Sequence, residues 1–205
     1  MRSSKLMLWS PAAIGLLFCV VATASGAVPA KNGASPVSAQ NVLAHLNATG
    51  KHSLQRCLYP LTLRRRKLEM FLLSMAKSSK PDVKASAIYL LGMYRIAGAV
   101  PRLIKDISFP YPQGIIKGLP LVIIGASPAA NALTRIGMPS VKPIIAALQH
   151  GTQFRYRHTM VAILENVEGR PVARFRLKRA ISEAPTAIEK SNLTAALAEI
   201  PTATH

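Results

Sequence analysis

Side chains able to carry acid–base, nucleophilic or metal chemistry are few here, and their spacing does not bring them together. The chain has 8 Asp and Glu in 205 residues. Glu165 and Glu168 lie one helical turn apart, the spacing of a carboxylate pair, but no comparable partner pair stands opposite them, and the expectation is a solvated helix face. His45, His52, His150, His158 and His205 show no metal-ligand spacing and have no cysteine companions. His52 and Cys57 are near in sequence, yet nothing supplies the rest of a thiol–imidazole site. No glycine-rich phosphate loop is present, since Gly92 and Gly98 read as helix ends. The expectation is therefore no catalytic, cofactor or metal site.

Basic clusters are the sharper feature. With 26 Lys and Arg, the formal net charge is +18, and no acidic residue precedes Glu69. Such a balance favours anionic partners. The candidate anion-binding residues are Arg64, Arg65, Arg66 and Lys67 ahead of one apolar stripe, Arg155 and Arg157 with His158 at the start of another, and Arg174, Arg176, Lys178 and Arg179 on a third. Each cluster is either an anion-binding stripe or an ordinary solvated face. Aromatic residues make up only 5% of the chain, so the stacking platforms of single-stranded nucleic-acid binders are poorly represented. The sequons Asn47-Ala48-Thr49 and Asn192-Leu193-Thr194 carry meaning only in a eukaryotic secretory pathway.

The amino end bears on compartment. Arg2 and Lys5 precede an apolar run from Ala12 to Ala22, and small residues follow through Ala27. This order matches a secretory signal over residues 1–27, cleaved after Ala24 or Ala27. An uncleaved anchor over Leu6 to Ala24 is the alternative. Lipid attachment at Cys19 is disfavoured by the bulky Phe18 before it. The expectation is export to the periplasm or the medium. Cleavage leaves 24 basic side chains against 8 acidic ones, and Cys57 as the remaining cysteine, so no intramolecular disulfide supports the fold.

Those residues must be positioned by short helices. Residues 28–52, rich in Ala, Ser, Asn, Gly and Pro, read as a flexible linker. From 53 to 200 an apolar template at i, i+3, i+4 and i+7 recurs. It fits Leu54, Cys57, Leu58 and Leu61, then Leu68, Phe71, Leu72 and Met75. It returns at Val100, Leu103, Ile104 and Ile107, and at Ala129, Ala132, Leu133 and Ile136. Further instances are Val141, Ile144, Ile145 and Leu148; Met160, Ile163, Leu164 and Val167; and Leu193, Ala196, Leu197 and Ile200. Val83, Ala87, Leu91 and Tyr94 form a related stripe. Pro81, Pro101, Pro139 and Pro171 suit helix starts. Gly92, Gly98 and Gly137 suit helix ends that need a positive φ. Ala173 to Lys178 alternates in polarity like a strand, but its register predicts a helix whose apolar side is Ala173, Leu177 and Ala180. Helices this short need neighbours to bury their stripes. The fold class predicted is all-α, with residues 201–205 a disordered tail and 108–127, rich in proline and glycine, the least regular internal stretch.

Lys80-Pro-Asp-Val-Lys-Ala-Ser-Ala-Ile-Tyr-Leu-Leu-Gly92 with Ala99-Val-Pro-Arg-Leu-Ile104 resembles a HEAT repeat of the short bacterial type. Pro128 to Ile145 looks like a second copy, and Met160 to Leu177 like a degenerate third in which Val172 matches Val141. The resemblance implies an armadillo-like α-solenoid of stacked antiparallel helix pairs, whose surface binds another macromolecule; it says almost nothing of chemistry. HEAT-like DNA glycosylases need groove aromatics, and the single tryptophan here is Trp9, within the signal. HEAT-like phycobilin lyases act on substrates that an exported protein does not meet. The expected role is an exported scaffold that binds a protein partner, without catalysis; the alternative is a basic binder of anionic polymers or membrane surfaces. No small-molecule substrate is implied.

Cys57 takes the i+3 place of its stripe, which points its thiol into a helix interface as a small hydrophobe. The purified protein should therefore run as a monomer in non-reducing electrophoresis. A dimer band that vanishes with reductant and is absent in Cys57→Ser would overturn this.

Overall fold

The computed structural model describes residues 65–111 and 127–201, both within one compact unit. The signal segment, the linker, Cys57 and its stripe, Arg64, the sequon at Asn47, residues 112–126 and the tail after Pro201 lie outside the described residues. Within them the chain forms eight α-helices and no strand. These are α1 (Arg65–Met75), α2 (Pro81–Met93), α3 (Val100–Lys105), α4 (Pro128–Ile136), α5 (Val141–Gln149), α6 (Arg157–Glu168), α7 (Arg170–Glu183) and α8 (Ala187–Ala198). Short 3₁₀ turns at Ala97–Ala99, Met138–Ser140 and Phe154–Tyr156 lead into α3, α5 and α6. The alternating stretch 173–178 is helical.

The apolar template accounts for the core. Leu68, Leu72 and Met75 of α1 are buried, as are Val83, Ala87 and Leu91 of α2. So are Leu103 and Ile104, Leu133 and Ile136, Ile144 and Leu148, Met160, Ile163 and Leu164, and Leu193 and Ala196. Each fully buried Leu or Ile contributes about 1.5–3 kcal/mol over its exposed state. That burial, rather than helix propensity, holds segments of 6 to 14 residues in helical form. Proline enters the first turn of α2, α3, α4 and α7, where a missing N–H costs nothing. Thr186 and Glu189 close a reciprocal capping box at the start of α8.

Helix α2 packs on α4, α4 on α6, and α6 on α7; alongside, α3 packs on α5. Among the helices, α5 packs most on α8, then on α6, with α7 making a lesser contact. Helix α7 instead lies against α6 and α8. This arrangement corrects one sequence expectation. Val172 does not take the buried place of Val141: it is 44% exposed where Val141 is 2% exposed. The packed face of α7 is Ala173 and Leu177, with Ala180 and Ile181 partly covered.

Two glycines also differ from expectation. Gly137 has φ +79°, as a helix end requires. Gly92 lies inside α2, and what it provides is close approach: a Cβ there would sit 2.6 Å from the Ala132 Cα of α4. A Cβ on Gly98 would run into the Glu69 carboxylate. The other positive φ values among the described residues fall on Arg95 (49°) after α2, on Gly151 (67°) and Gln153 (58°) before α6, and on Gly169 (82°) between α6 and α7.

Replacing Gly92 by Ala sets a gain in helix propensity of about 1 kcal/mol against a backbone clash that only movement of α2 from α4 relieves. Overpacking of this kind dominates, so Gly92→Ala should lose about 1–2 kcal/mol in urea unfolding. A stabilised variant would refute the close-packing role.

Candidate basic surface and its ion pairs

The eight carboxylates of the chain all fall within the described residues; five of them pair with Lys or Arg, and a sixth, Glu189, reaches a histidine. The most enclosed centre is Asp106, just past the end of α3. Its two oxygens accept from Lys84 Nζ of α2 at 2.7 Å and from Arg102 Nε at 2.6 Å. Arg102 Nη2 also donates to the Ala76 carbonyl beyond α1, at 3.4 Å. Lys84 lies 4.6 Å from the Phe109 ring centroid. One carboxylate therefore ties the ends of α1, α2 and α3, and its near-complete burial makes the geometry matter.

Glu199, following α8, does the same for α6. Arg157 Nε and Nη2 donate to Glu199 Oε1 at 3.0 and 2.6 Å, and His158 Nδ1 is 3.3 Å from Oε2. The Arg157 guanidinium stacks 4.5 Å from the Phe154 centroid. These hydrogen bonds, from Arg157 first and then His158, hold the Glu199 carboxyl below its ordinary value of 4.5 against the opposing effect of desolvation. Glu189, already in the capping box, reaches His150 at the end of α5 at 3.2 Å.

At the α6–α7 joint, Glu165 and Glu168 each meet an arginine of α7. Arg170 Nε donates to Glu165 Oε1 at 2.9 Å, and Arg176 Nε lies 2.5 Å from Glu168 Oε1. The solvated face expected for the pair is not what forms, because the Glu168 side chain is only 2% exposed. Its charge is compensated by Arg176 without an aligned hydrogen bond. Helix α7 packing over the end of α6 buries it. The two carboxylates are thus separated in role and bound to different cations, an arrangement that fastens helices.

Of the sequence-predicted anion-binding residues, Arg65 donates to the Arg95 carbonyl at 3.5 Å, and Arg66 and Lys67 are exposed beside it. Arg155 is exposed, while Arg157 is committed to Glu199. On α7, Arg174 Nη1 donates to the Ile200 carbonyl at 3.0 Å. Arg176 is committed to Glu168, and Arg179 pairs with Glu183 at 2.7 Å on the open surface. Arg66, Lys67, Arg155 and Lys178 carry no ion pair among the described residues. The fold does not merge the clusters: α1 packs on α2, and α7 on α6 and α8. A shallow hollow of about 410 Å³ lies between α7 and the end of α8, lined by Arg174, Thr194, Leu197, Ala198, Ile200 and Pro201.

Spacing gives no sign of Glu199 as an organising group, because its two partners stand 41 and 42 residues away. For Asp106 the i,i+4 pair with Arg102 is local, and the contact with Lys84 is the distant one. No group of three or more His, Cys, Asp or Glu able to hold a metal is found among the described residues. Among them too, no helix is long and apolar enough to cross a membrane. Comparison with family models, curated proteins and solved structures finds no match for this chain.

Because the Glu199 carboxyl is depressed in the folded state, its contribution to stability is complete above its ordinary value of 4.5 and is lost as pH falls through the lower folded value. Glu199→Gln should therefore flatten the acid side of the stability–pH curve while lowering stability at neutral pH. An unchanged acid limb in this variant would show that the pair contributes nothing.

Proposed function

We propose that the chain is an exported binding protein which presents a HEAT-like stack of antiparallel helix pairs to a protein partner and performs no catalysis. One observation supports the reading: α2 packs on α4, α4 on α6, and α3 on α5, so like-placed helices of successive segments are neighbours, as a stacked repeat requires. Such folds leave extended surfaces for macromolecules. The use of five carboxylates to fasten helices supports the same reading, since it occupies groups an acid–base mechanism would draw on. Export rests on the amino-terminal charge, apolar run and small residues.

The alternative, binding of anionic polymers or membrane surfaces through the Arg-rich helices, draws support from the exposed Arg66, Lys67, Arg155 and Lys178. Against it, Arg157, Arg170, Arg176 and Arg179 already hold carboxylates, which reduces the cations available to release counterions.

Affinity capture with the full chain, at low and high salt, separates the two. Retention of one defined protein at high salt is the expected result. Recovery only of nucleic acid, acidic glycan or lipid, lost steeply as salt rises, would replace the proposal with the alternative.

A further inference from the structure

We propose that the outward face of α7, centred on Val172 and Phe175 and edged by Arg176, Lys178 and Arg179, docks an acidic segment of a partner protein that carries at least one apolar side chain. This rests on the protein-binding reading above and names the surface and the chemistry it selects. Helical spacing places Val172, Phe175 and Arg179 on one side of α7, opposite the buried Ala173 and Leu177. Phe175 is 67% exposed, whereas Ile144, at the matching place of the second helix pair, is fully buried. The face that α5 turns into the core is thus turned to solvent by α7, because α8 has taken the place beside α5. The result is an aliphatic and an aromatic side chain left open in a chain with only 5 phenylalanines. A rigid aromatic flanked by arginines is the composition of an interface centre.

The charges around it select the occupant. Arg176 is held from behind by the buried Glu168, which fixes its position without covering it; its side chain remains 44% exposed. Arg179 and Glu183 form an i,i+4 pair with both side chains largely in water, so the pair is weak and an incoming carboxylate can exchange for Glu183. Lys178 is exposed beside them. Carboxylates on the partner would meet two guanidinium groups suited to forked hydrogen bonds. A second copy of this chain does not fit, since it brings a net charge of +18 and five of its 8 carboxylates already fasten its own helices. A bilayer is disfavoured because two apolar side chains offer little area for interfacial anchoring.

The test is selection from a displayed library of short random peptides on the full-length protein. Selected peptides should be rich in Asp and Glu around a Leu or an aromatic residue. A synthetic consensus peptide should bind Phe175→Ala and Arg179→Glu at least about tenfold more weakly than the parent. Met138→Ala, which alters another exposed apolar side chain, should bind it unchanged, and circular dichroism should show all three variants folded. Selected peptides without acidic residues, or an affinity unaffected by Phe175→Ala, would overturn the proposal. So would Phe175-dependent binding to phosphatidylglycerol vesicles in place of peptides. If a partner captured at high salt is retained equally by Phe175→Ala, this face is refuted and the protein-binding reading stands. If neither a captured protein nor acidic peptides emerge, both fail.

Discussion

The contact of α8 with α5 is the constraint from which the rest of the carboxy-terminal half follows. Leu193 and Ala196 of α8 are buried in the core, and the capping box at Thr186 and Glu189 fixes where that helix begins. Glu189 reaches across to His150 at the end of α5, and Asn192 Nδ2 donates to the Gln149 carbonyl at 3.0 Å. With that flank of α5 occupied, α7 is left to pack on α6 and α8 through a narrow face of Ala173 and Leu177. Its other face is then outward by geometry, whatever the polarity of its residues. Under the proposed stack, this is where a regular third helix pair gives way to the outward face proposed for docking.

Charge is distributed under a second constraint, the scarcity of acids. A chain with 26 basic and 8 acidic side chains cannot neutralise its surface, so the positions of the acids decide which cations remain open. Asp106 and Glu199 sit at helix ends, where one carboxylate can bridge elements distant in sequence. Glu168, at the end of α6, stands where the helix dipole disfavours a negative charge, and Arg176 offsets that cost. Among the described residues, exposed cations without an ion pair are spread over many elements, including Arg66, Lys67, Lys77, Lys80, Arg95, Lys105, Lys142, Arg155, Lys178 and Lys190.

The core was legible wherever the apolar period was unambiguous. Leu68, Leu72, Leu133, Ile144 and Leu164 are buried as the 3.6-residue spacing requires. Helix α7 carried two incompatible readings. Its own helical wheel gave Ala173 and Leu177 as the apolar side, while the match to the second helix pair placed Val172 inside. The wheel reflects the chain's own pattern and agrees with the burial; the match carried over the burial of Val141, which α7, packed on α6 and α8, does not reproduce. The pattern Thr186-Ala-Ile-Glu189 is a local capping signal and was open to reading. Gly92 does stand near the end of α2, one residue before Met93, but it supplies close approach rather than a positive φ, and only tertiary structure shows that Ala132 stands against it. Arg157 reads as a candidate for an external anion because Glu199, which holds it, is 42 residues away in sequence, whereas Arg176 and Arg179 have their carboxylates within 8 and 4 residues.

The outward orientation of the Val172–Phe175 face is the claim on which the functional account turns, and fluorescence tests it directly. The chain has a single tryptophan, so the full-length protein with Trp9→Phe and Phe175→Trp carries one reporter at the centre of the face. The account predicts the red-shifted emission of a hydrated indole. It also predicts quenching by iodide that exceeds quenching by a neutral quencher at equal concentration, because Arg176, Lys178 and Arg179 gather the anion around the ring. Blue-shifted emission protected from both quenchers would mean that the face is covered by the chain itself, and would contradict the account.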